Sequence, residues 1–495
     1  MKRAGGERSP QPVGKQSGTA VRGVLRSSTI YAAVQYVALA LAFVRSIYVA
    51  GHLGPTLMGT YGLILLVIQY QRFANLGVYS AMNLEAALGL GEQGQDEYIA
   101  GVFRNALTHA IVIASLLFAG SVFVQLVIPD VVARDISPYV LGIGFIGAVG
   151  QFKQFTIVYS RLHQQFRIIN LLELWSNVVL LLGVVLFIER YGLSAVVGAM
   201  VASASGTLLI CLYTISKRVR GPLGARMIPR LAAIGLPLFL YGLFESIFGT
   251  IDKWVIVNFL TREDLGYFSL SYAMMSSTIL LLGAFTFLYY PRFLKAFKLK
   301  DESEAASSDI VDQLKRYSSS FAAVSVGLGL VGMMAIEPLI HYLLPQYVAS
   351  IFIYRVLMLG MLADRIAYFA GTLLISNRQQ YKLMGLLALV SLVALGLGVG
   401  AVQAGLGVQG IAAATSVTLV LYAVGKVCLA LWRLNALRPA QVFGIYGKYF
   451  LLLPLLVGNL LWAPSHLYAT FAVFLWLYSA EAMGLIRQVR LALNR

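Results

Sequence analysis

The sequence predicts an all-α polytopic membrane protein with about fourteen transmembrane helices, and three observations lead to this fold class. Hydrophobic residues make up 59% of the 495 residues, and the mean hydropathy is +0.78. Charged residues make up only 12%, whereas about a quarter of the residues of a soluble globular protein are charged. The third observation is a series of long apolar runs. Because a backbone polar group cannot stay unpaired in lipid, each run is predicted to be a helix.

Each apolar run approaches the roughly 20 residues that a helix needs to cross the hydrocarbon core of a bilayer. The fourteen runs lie at residues 29–50, 59–80, 103–128, 138–160, 168–188, 193–215, 232–257, 265–291, 318–344, 350–376, 382–402, 409–431, 444–462 and 467–486. The second run and the last two are the weakest, so twelve or thirteen spans is the alternative count.

The distribution of basic residues predicts which side of the membrane each loop faces. If residue 1 is cytoplasmic, the inside segments contain 27 Lys and Arg residues when Arg104 and Lys382, at the cytoplasmic ends of their runs, are counted with them. The outside loops contain only Arg134, Arg190 and Arg262. This asymmetry follows the positive-inside rule, so both termini are predicted to be cytoplasmic. The net charge of +17 then reflects cytoplasmic loops, and no nucleic-acid partner is predicted. Residues 1–28 form a basic tail without a cleavable apolar core, so the first run is expected to remain as a helix.

Two pairs of matching segments indicate an internal duplication. Residues 58–63 (Met-Gly-Thr-Tyr-Gly-Leu) follow the first run, and residues 265–270 (Leu-Gly-Tyr-Phe-Ser-Leu) follow the seventh. Residues 198–203 in the sixth run match residues 410–415 in the twelfth at nearly the same offset. Six helices per copy is an even number, so the copies are predicted to have the same orientation, as a parallel repeat.

The repeat divides the chain into four predicted parts. These are a basic cytoplasmic tail (1–28), an N-terminal lobe of helices 1–6 (29–230), a C-terminal lobe of helices 7–12 (231–440), and helices 13 and 14 with a cytoplasmic tail (441–495).

Several motifs that would indicate an enzyme or a metal site are excluded by their context. Two Gly-x-Gly-x-x-Gly segments, 89–94 and 327–332, lie in a predicted loop and inside a predicted membrane helix, whereas a dinucleotide site requires a preceding strand. The five histidines are scattered, and His109 is predicted to be a hydrogen-bonded helix residue. Cys211 and Cys428 have neither metal-ligand nor disulfide spacing. No metal, cofactor or catalytic residue is predicted.

Charged residues inside the apolar runs are the most informative candidates for function. Six cations lie there: Arg45, Arg72, Lys153, Lys253, Arg355 and Arg365. A cation at the membrane centre costs roughly 3 kcal/mol, so six would cost roughly 18 kcal/mol if all faced lipid. Most are therefore predicted to face the bundle interior or a cleft between the lobes, at successive depths along a path for an anionic group. Lys426 and Lys448 lie near cytoplasmic helix ends and are expected to extend to the membrane surface.

Polar helix faces support such a cavity, while carboxylates offer an alternative role for the cations. Residues one or two turns apart share a helix face, and the candidates for the cavity wall are Gln69, Gln151, Gln154, Asn170 and Asn177. Six carboxylates share the apolar runs: Glu173, Glu245, Asp252, Glu337, Asp364 and Glu481. Structural ion pairs are therefore the alternative for any of the cations. Chain neighbours point about 100° apart on a helix, so Asp252–Lys253 and Asp364–Arg365 are each expected to pair with other helices.

Short motifs resemble the polysaccharide transporter family over about residues 29–440. Near the start they are Gly54-Pro55, Met58-Gly59-Thr60-Tyr61 and Leu76-Gly77, and in the seventh and eighth runs they are Ile234-Gly235-Leu236-Pro237, Asp252-Lys253, Leu265-Gly266-Tyr267 and Tyr290-Pro291-Arg292. That family contains Wzx-type flippases for lipid-linked oligosaccharides. It belongs to the superfamily that also contains MATE drug exporters and lipid II flippases.

The resemblance implies two six-helix lobes around a central cavity, with two further helices, in the cytoplasmic (inner) membrane. It implies a substrate of undecaprenyl pyrophosphate carrying an O-antigen, capsule or exopolysaccharide repeat unit, flipped from the inner to the outer leaflet. The implied partners are this lipid-linked glycan, membrane lipids and other polysaccharide assembly proteins. Only Asp252 matches a charge position that recurs in the family, so the other charged candidates are inferred from their depth.

Together these features predict a transporter, not an enzyme, that works by alternating access between its lobes. The six cations are expected to hold the pyrophosphate by charge-assisted hydrogen bonds. Deep carboxylates can bind a proton or a cation, so the candidates for coupling to H⁺ or Na⁺ are Glu245, Asp252, Asp364 and Glu173.

Three alternatives stay open at this point. A MATE-like ion-coupled multidrug exporter would need a carboxylate-dominated site for cationic drugs, which the six cations disfavour. An integral-membrane polysaccharide polymerase would need a large outside loop, and the predicted outside loops are all under about ten residues. A lipid scramblase would flip lipids without coupling to an ion gradient.

Overall fold

The computed structural model describes residues 18–90, 94–128, 133–216, 219–224, 226–283, 304–377, 379–461, 467–481 and 483. These residues form sixteen α-helices and three short 3₁₀ turns, and they contain no β-strand. The family motif at residues 290–292 and the charged segment 292–303 lie outside the described residues.

The helices follow one another along the chain with short connections. They are α1 (Gly18–Gln71), α2 (Val78–Gly89), α3 (Asp96–Val127), α4 (Val140–Leu162), α5 (Phe166–Tyr191), α6 (Leu193–Ser216), α7 (Met227–Phe248), α8 (Ile251–Phe259), α9 (Arg262–Leu280), α10 (Glu304–Leu343), α11 (Ala349–Ile366), α12 (Tyr368–Ser376), α13 (Gln380–Gln403), α14 (Gly407–Arg433), α15 (Pro439–Leu461) and α16 (Leu467–Leu477).

The predicted all-helical membrane fold is confirmed. Ten helical segments of the described chain are long and apolar enough to cross a membrane, or eleven if α11 and α12 count together as one bent span. The segment Ala33–Asn75, which covers most of α1, counts once, although it contains most of the first predicted run and most of the second. Neither α9 nor the short α16 is among the ten. The number of fourteen spans therefore stays a prediction.

α1 consists of two helical segments that meet at Gly54. Gly54 has a positive φ (φ 69°, ψ 170°), which glycine adopts without strain, and Pro55 then begins the second segment. A straight helix would separate Arg45 from Arg72 by about 40 Å, yet both residues line one cavity. The second segment must therefore run back along the first, as two separate membrane spans require.

Three further helix breaks lie close to charged residues. α1 ends in a 3₁₀ turn over Arg72–Asn75, and Gly77 has a positive φ before α2. The seventh predicted span is split at Gly249 and Thr250 into α7 and α8. The tenth bends by 43° at Ala367, between α11 and α12. In transporters, discontinuous helices of this kind provide sites for ions and substrates.

Residues 81–102, which connect the second and third predicted runs, are largely helical, because α2 and the first turns of α3 occupy most of them. Val78, Met82 and Ala86 recur at helical spacing on α2, and all three are fully buried against neighbouring helices. This amphipathic pattern stabilises a short helix where the low hydropathy of the segment indicated a loop.

The two halves of the chain pack closely through glycines of the repeated motifs. A Cβ atom on Gly59 would overlap the carbonyl oxygen of Arg262, and one on Gly266 would overlap the carbonyl oxygen of Pro55. The matching segments of the predicted duplication, in α1 and α9, therefore lie against each other. Small residues allow helix backbones to approach in lipid, where burial from water does not drive association. The repeated motifs thus mark a packing interface between the halves.

Gly266→Ala is expected to destabilise the protein by roughly 1–3 kcal/mol, because the added methyl group would force α1 and α9 apart. The measurement is the midpoint of thermal unfolding of the purified full-length protein in detergent. Gly396→Ala is the matched control, since nothing lies within 4 Å of a Cβ atom at that helical position. Equal midpoints for the two variants would contradict the close packing of α1 against α9.

Candidate functional site

Two cavities lie beside the charged residues of the membrane helices. The N-terminal cavity has a volume of about 760 Å³ and is bounded by α1, α4, α5 and α6. The C-terminal cavity has a volume of about 160 Å³ and is bounded by α7, α8, α9, α11, α13 and α14. One cavity therefore belongs to each half of the chain.

Three cations and one carboxylate line the N-terminal cavity. Lys153 Nζ lies 3.3 Å from Glu173 Oε1, so these two charges balance each other. Arg45 donates a long hydrogen bond of 3.4 Å to Asn177, and the Arg72 guanidinium lies 4.8 Å from the centre of the Phe73 ring. Neither arginine has an ion-pair partner within the described part of the chain. The wall of this cavity therefore carries an excess of positive charge.

The turn that carries Arg72 is held by side chains from α3 and α4. Gln151 donates to the Gln71 carbonyl at 2.9 Å, and His109 Nε2 lies 3.0 Å from the Asn75 carbonyl. Asn75 donates both to the Arg72 carbonyl at 2.6 Å and to Gln154 at 3.3 Å. These contacts satisfy carbonyl groups that the end of a helix leaves free. They also fix the position of Arg72 at the cavity wall.

The predicted polar wall is only partly present. Gln69, Gln151 and Asn177 line the N-terminal cavity, whereas Gln154 and Asn170 do not. Sequence reasoning missed the hydroxyl groups of this wall, on residues Ser176, Ser203 and Thr207. The spacing of four residues between the last two in an apolar helix could have indicated a shared face.

Three carboxylates line the C-terminal cavity together with Arg365. Glu245 lies in the last turn of α7 and Asp252 in the first turn of α8, so both flank the break in the seventh span. Asp252 is 4% exposed and accepts hydrogen bonds from the Lys253 amide at 2.7 Å and the Thr415 hydroxyl at 3.4 Å. The four predicted coupling carboxylates are thus divided, three in this cavity and Glu173 in the other.

Asp364 is the centre of a buried ion triad. Its two oxygens lie 2.5 Å from Lys426 Nζ and 2.5 Å from Arg365. The expectation that Lys426 extends to the membrane surface is wrong, since this residue is 7% exposed and its ammonium group is held inside the bundle. The expectation that Arg365 pairs with another helix is also wrong. A buried carboxylate gains most from every cation in reach, because the low dielectric constant of the interior strengthens the attraction.

The two remaining predicted cations have separate environments. Lys253 Nζ lies 4.4 Å from the centre of the Tyr272 ring, a cation–π arrangement. Arg355 is 7% exposed, pairs with Glu337 at 2.6 Å and also donates to the Met333 carbonyl. For Arg355 the geometry is that of a structural ion pair. The six predicted cations therefore do not line one cavity, and only Arg45, Arg72 and Lys153 share one.

Neither cavity has the geometry of a metal centre. No group of three or more His, Cys, Asp or Glu side chains is arranged to hold a metal ion within the ranges that the structure describes.

Helices broken at charged cavities are typical of membrane transporters, and comparison with solved structures defines the class of fold. The chain is similar to a lipid II flippase, MurJ, in an inward closed conformation, with a TM-score of 0.68, 14% identity, and coverage of 93% of this chain and 99% of that one. It is also similar to an inward-facing multidrug resistance MATE family transporter of the MOP superfamily, with a TM-score of 0.63, 12% identity, and coverage of 80% and 95%. A MATE structure in complex with MaD3S gives a TM-score of 0.52 at 14% identity, with coverage of 83% and 96%. The chain therefore has the fold that these transporters share.

The family follows from the sequence itself. Residues 49–293 match the model of a family of polysaccharide biosynthesis proteins, and this match over about half of the chain places the protein in that family. None of the curated protein sequences compared with the chain is significantly similar to it. The predicted resemblance to polysaccharide transporters is confirmed.

Asp364→Asn is expected to lower the stability of the protein by roughly 3–5 kcal/mol, because it would leave the buried Lys426 without a carboxylate. The measurement is thermal unfolding of the purified protein in detergent. Glu245→Gln is the control, since Glu245 lines the same cavity but has no ion pair among the described residues. Similar midpoints for Asp364→Asn and Glu245→Gln would contradict a structural role of the triad. Combining Asp364→Leu with Lys426→Met should recover most of the stability.

Proposed function

We propose that the protein is a flippase for a lipid-linked oligosaccharide. In this proposal it moves an undecaprenyl-pyrophosphate-linked repeat unit of O-antigen, capsule or exopolysaccharide from the inner to the outer leaflet, by alternating access between its two halves. The observation that carries the proposal is the N-terminal cavity, which combines a volume of 760 Å³ with an excess of cations. Membership of a polysaccharide biosynthesis family supports a glycan substrate.

The chemistry of the N-terminal cavity suits a pyrophosphate. Arg45 and Arg72 have no carboxylate partner among the described residues, so their guanidinium groups are free to bind an anion. Guanidinium groups bind phosphate oxygens by paired, charge-assisted hydrogen bonds. Lys153 adds a third cation, and the amides and hydroxyls of the wall offer hydrogen bonds to sugar hydroxyls. The cavity volume lies within the range of about 300–1,000 Å³ that is typical of small-molecule sites.

The membrane supplies part of the driving force in this mechanism. The polyprenyl chain stays in the hydrocarbon while the head group crosses between the halves of the protein. Moving one charge through a potential of 100 mV is worth roughly 2.3 kcal/mol. In a cell that is negative inside, the potential therefore favours outward movement of a pyrophosphate.

The C-terminal cavity is the proposed site of ion coupling, with H⁺ or Na⁺ as the coupling ion. At 160 Å³ it is smaller than the roughly 300 Å³ at which small-molecule sites begin. Its lining combines Glu245, Asp252 and Asp364 with the hydroxyls of Thr415 and Thr418. Oxygen groups of this kind can bind a proton or a hard cation. Glu173 pairs with Lys153 in the other cavity, and there it would balance that charge.

An ion-coupled exporter of organic compounds is the second candidate function, because the chain shares the fold of MATE transporters. The two cavities distinguish the candidates. A cationic drug requires a roomy acidic site, whereas the acidic cavity here is the small one and the roomy cavity is cationic. The arrangement therefore favours an anionic substrate.

Both termini are proposed to be cytoplasmic, and the direction of flipping depends on this orientation. In a variant without native cysteines, Arg190→Cys is expected to react with an impermeant maleimide on intact cells, because Arg190 is exposed at the predicted outside end of α5. Arg161→Cys, at the exposed end of α4, should react only after the cells are permeabilised. The reverse pattern would overturn the orientation.

The proposed activity is tested in a strain of the native host that lacks this gene. Lipid-linked glycans are extracted, and their leaflet is probed on spheroplasts with an impermeant glycan-modifying enzyme. Complete repeat units held on the inner leaflet, with loss of surface polymer, are the expected result. Outward-facing units left unpolymerised would indicate that the protein is a polymerase. Unchanged glycans would exclude both a flippase and a polymerase and would point to export of other compounds.

Arg45→Gln, Arg72→Gln and Lys153→Gln are each expected to reduce flipping at least about tenfold in this strain, since a hydrogen bond to a charged group contributes roughly 1.5–3 kcal/mol. The measurement is the rate at which repeat units become accessible from outside, at equal amounts of protein in the membrane. Arg190→Gln is the control, because it removes an exposed cation that lines neither cavity. Full activity of all three cavity variants would contradict the role of the N-terminal cavity.

A further inference from the structure

A set of hydrogen bonds joins the two cavities across the break in the seventh span. Gln69, on the wall of the N-terminal cavity, donates to the Ser246 hydroxyl at 3.1 Å. The Tyr70 hydroxyl lies 2.6 Å from the Thr250 hydroxyl, and Trp254 Nε1 donates to Tyr70 at 3.3 Å. The end of α1 therefore contacts both sides of the α7–α8 break.

The direction of these hydrogen bonds follows from the number of hydrogens. The Thr250 hydroxyl has one hydrogen and donates it to the Ser246 carbonyl at 2.7 Å. Tyr70 must then be the donor to Thr250, while its own oxygen accepts from Trp254. Each group in the chain from Trp254 through Tyr70 and Thr250 to Ser246 is satisfied. Ser246 and Thr250 are 5% and 1% exposed, so water offers little competition for the hydrogen bond between the Thr250 hydroxyl and the Ser246 carbonyl.

Thr250 also maintains the break itself. Its backbone amide donates to the Ile247 carbonyl at 3.1 Å instead of the Ser246 carbonyl that a continuous helix would use. The Thr250 hydroxyl donates to the Ser246 carbonyl in place of that backbone amide. Any change in the angle between α7 and α8 would therefore move the Thr250 hydroxyl, which accepts the hydrogen bond from Tyr70.

Both ends of this connection reach charged residues. Glu245 precedes Ser246, and Asp252 follows Thr250 by two residues, and both carboxylates line the C-terminal cavity. Tyr70 precedes Arg72 by two residues, and Arg72 is within electrostatic range of Glu245. Tyr70 and Thr250 thus form a hydrogen-bonded connection between the segment that carries Arg72 and the break that carries the carboxylates.

We propose that Tyr70 and Thr250 are positioning residues that couple the two cavities. Neutralising the carboxylates beside the α7–α8 break, by a bound cation or proton, shifts the break, and the hydrogen bonds transmit this shift to Arg72. The affinity of the N-terminal cavity for an anionic head group then depends on the state of the C-terminal cavity. This inference rests on the proposed function for the nature of the head group.

The test is a double-mutant cycle between Asp252→Asn, which imitates neutralisation whatever the coupling ion, and Tyr70→Phe. The dissociation constant of undecaprenyl pyrophosphate is measured for the purified full-length protein in lipid nanodiscs. Asp252→Asn alone is expected to change this dissociation constant at least about fivefold, which is the lower end of the range for allosteric coupling. In a protein that carries Tyr70→Phe, Asp252→Asn should change the dissociation constant less than about twofold. Tyr139→Phe is the matched control, because it also removes a hydrogen bond between two hydroxyl groups. This hydrogen bond joins Tyr139 to Ser194 at 3.0 Å and lies away from both cavities.

A through-space effect of the Asp252 charge on bound pyrophosphate gives a different result. Such an effect would be equally large with and without Tyr70→Phe, because the substitution changes no charge. That additive outcome would overturn the proposal, as would the absence of any effect of Asp252→Asn. Thr250→Ala should reproduce the result of Tyr70→Phe.

A second measurement separates the coupling from the substrate. In a variant without native cysteines, Gly150→Cys places a thiol on the wall of the N-terminal cavity, at an exposed position with open space around a Cβ atom. Asp252→Asn should change the rate at which this thiol reacts with a soluble maleimide, and Tyr70→Phe should abolish the change. If the probe lipid does not bind but the reaction rate follows this pattern, the substrate class is wrong and the coupling stands. If the rate does not depend on Tyr70, the coupling is wrong.

Discussion

In the hydrocarbon core of a membrane, a broken helix leaves carbonyl and amide groups without partners, at a cost of several kcal/mol for each group. Side chains meet this requirement at the end of α1 and at the α7–α8 break, which both lie beside charged residues. Asn75 and Gln151 bond to carbonyls at the end of α1, and the Thr250 hydroxyl bonds to the carbonyl freed between α7 and α8. Before the bend of α11, Tyr446 donates to the Ala363 carbonyl, which also accepts a long hydrogen bond of 3.4 Å from the Ala367 amide. The breaks are therefore stable features of the packed bundle, and they hold the charged side chains in place.

The charges at these breaks are distributed unequally between the two cavities. The N-terminal cavity has three cations and one carboxylate, whereas the C-terminal cavity has three carboxylates and one cation. In the second cavity, however, Asp364 is already neutralised by Lys426 and Arg365, and Glu245 and Asp252 are left without an ion pair among the described residues. Arg45 and Arg72 in the N-terminal cavity likewise have no ion pair among the described residues. Of these four residues only Asp252 is buried, at 4% exposed, but intramembrane charges without partners are typical of substrate and ion pathways. Their opposite signs in the two cavities fit the proposed binding of two ligands of opposite charge.

The motifs that carry the family resemblance contribute mainly to packing between the halves. Gly59 and Gly266 bring α1 and α9 together, and Gly77 and Gly235 bring the start of α2 against α7. Asp135 adds an ion pair of 2.9 Å to Arg262 at the end of the α1–α9 contact. The alternating access proposed above requires that some of these contacts separate while others form.

The sequence by itself determined the fold class, the approximate helix positions and the presence of intramembrane charges. These features depend on hydropathy, which is a local property of each segment. The doubling back of α1 was also implied, since two apolar runs meet near Gly54-Pro55. The sequence did not determine which charges share a cavity. Arg355 and Arg365 satisfy the same local pattern as Arg45 and Arg72. Within the described ranges, however, the first two have carboxylate partners and the other two have none. Only tertiary packing decides this, because an ion pair depends on which helices become neighbours. For the same reason Lys426, which its position in the chain placed near the membrane surface, lies buried against Asp364.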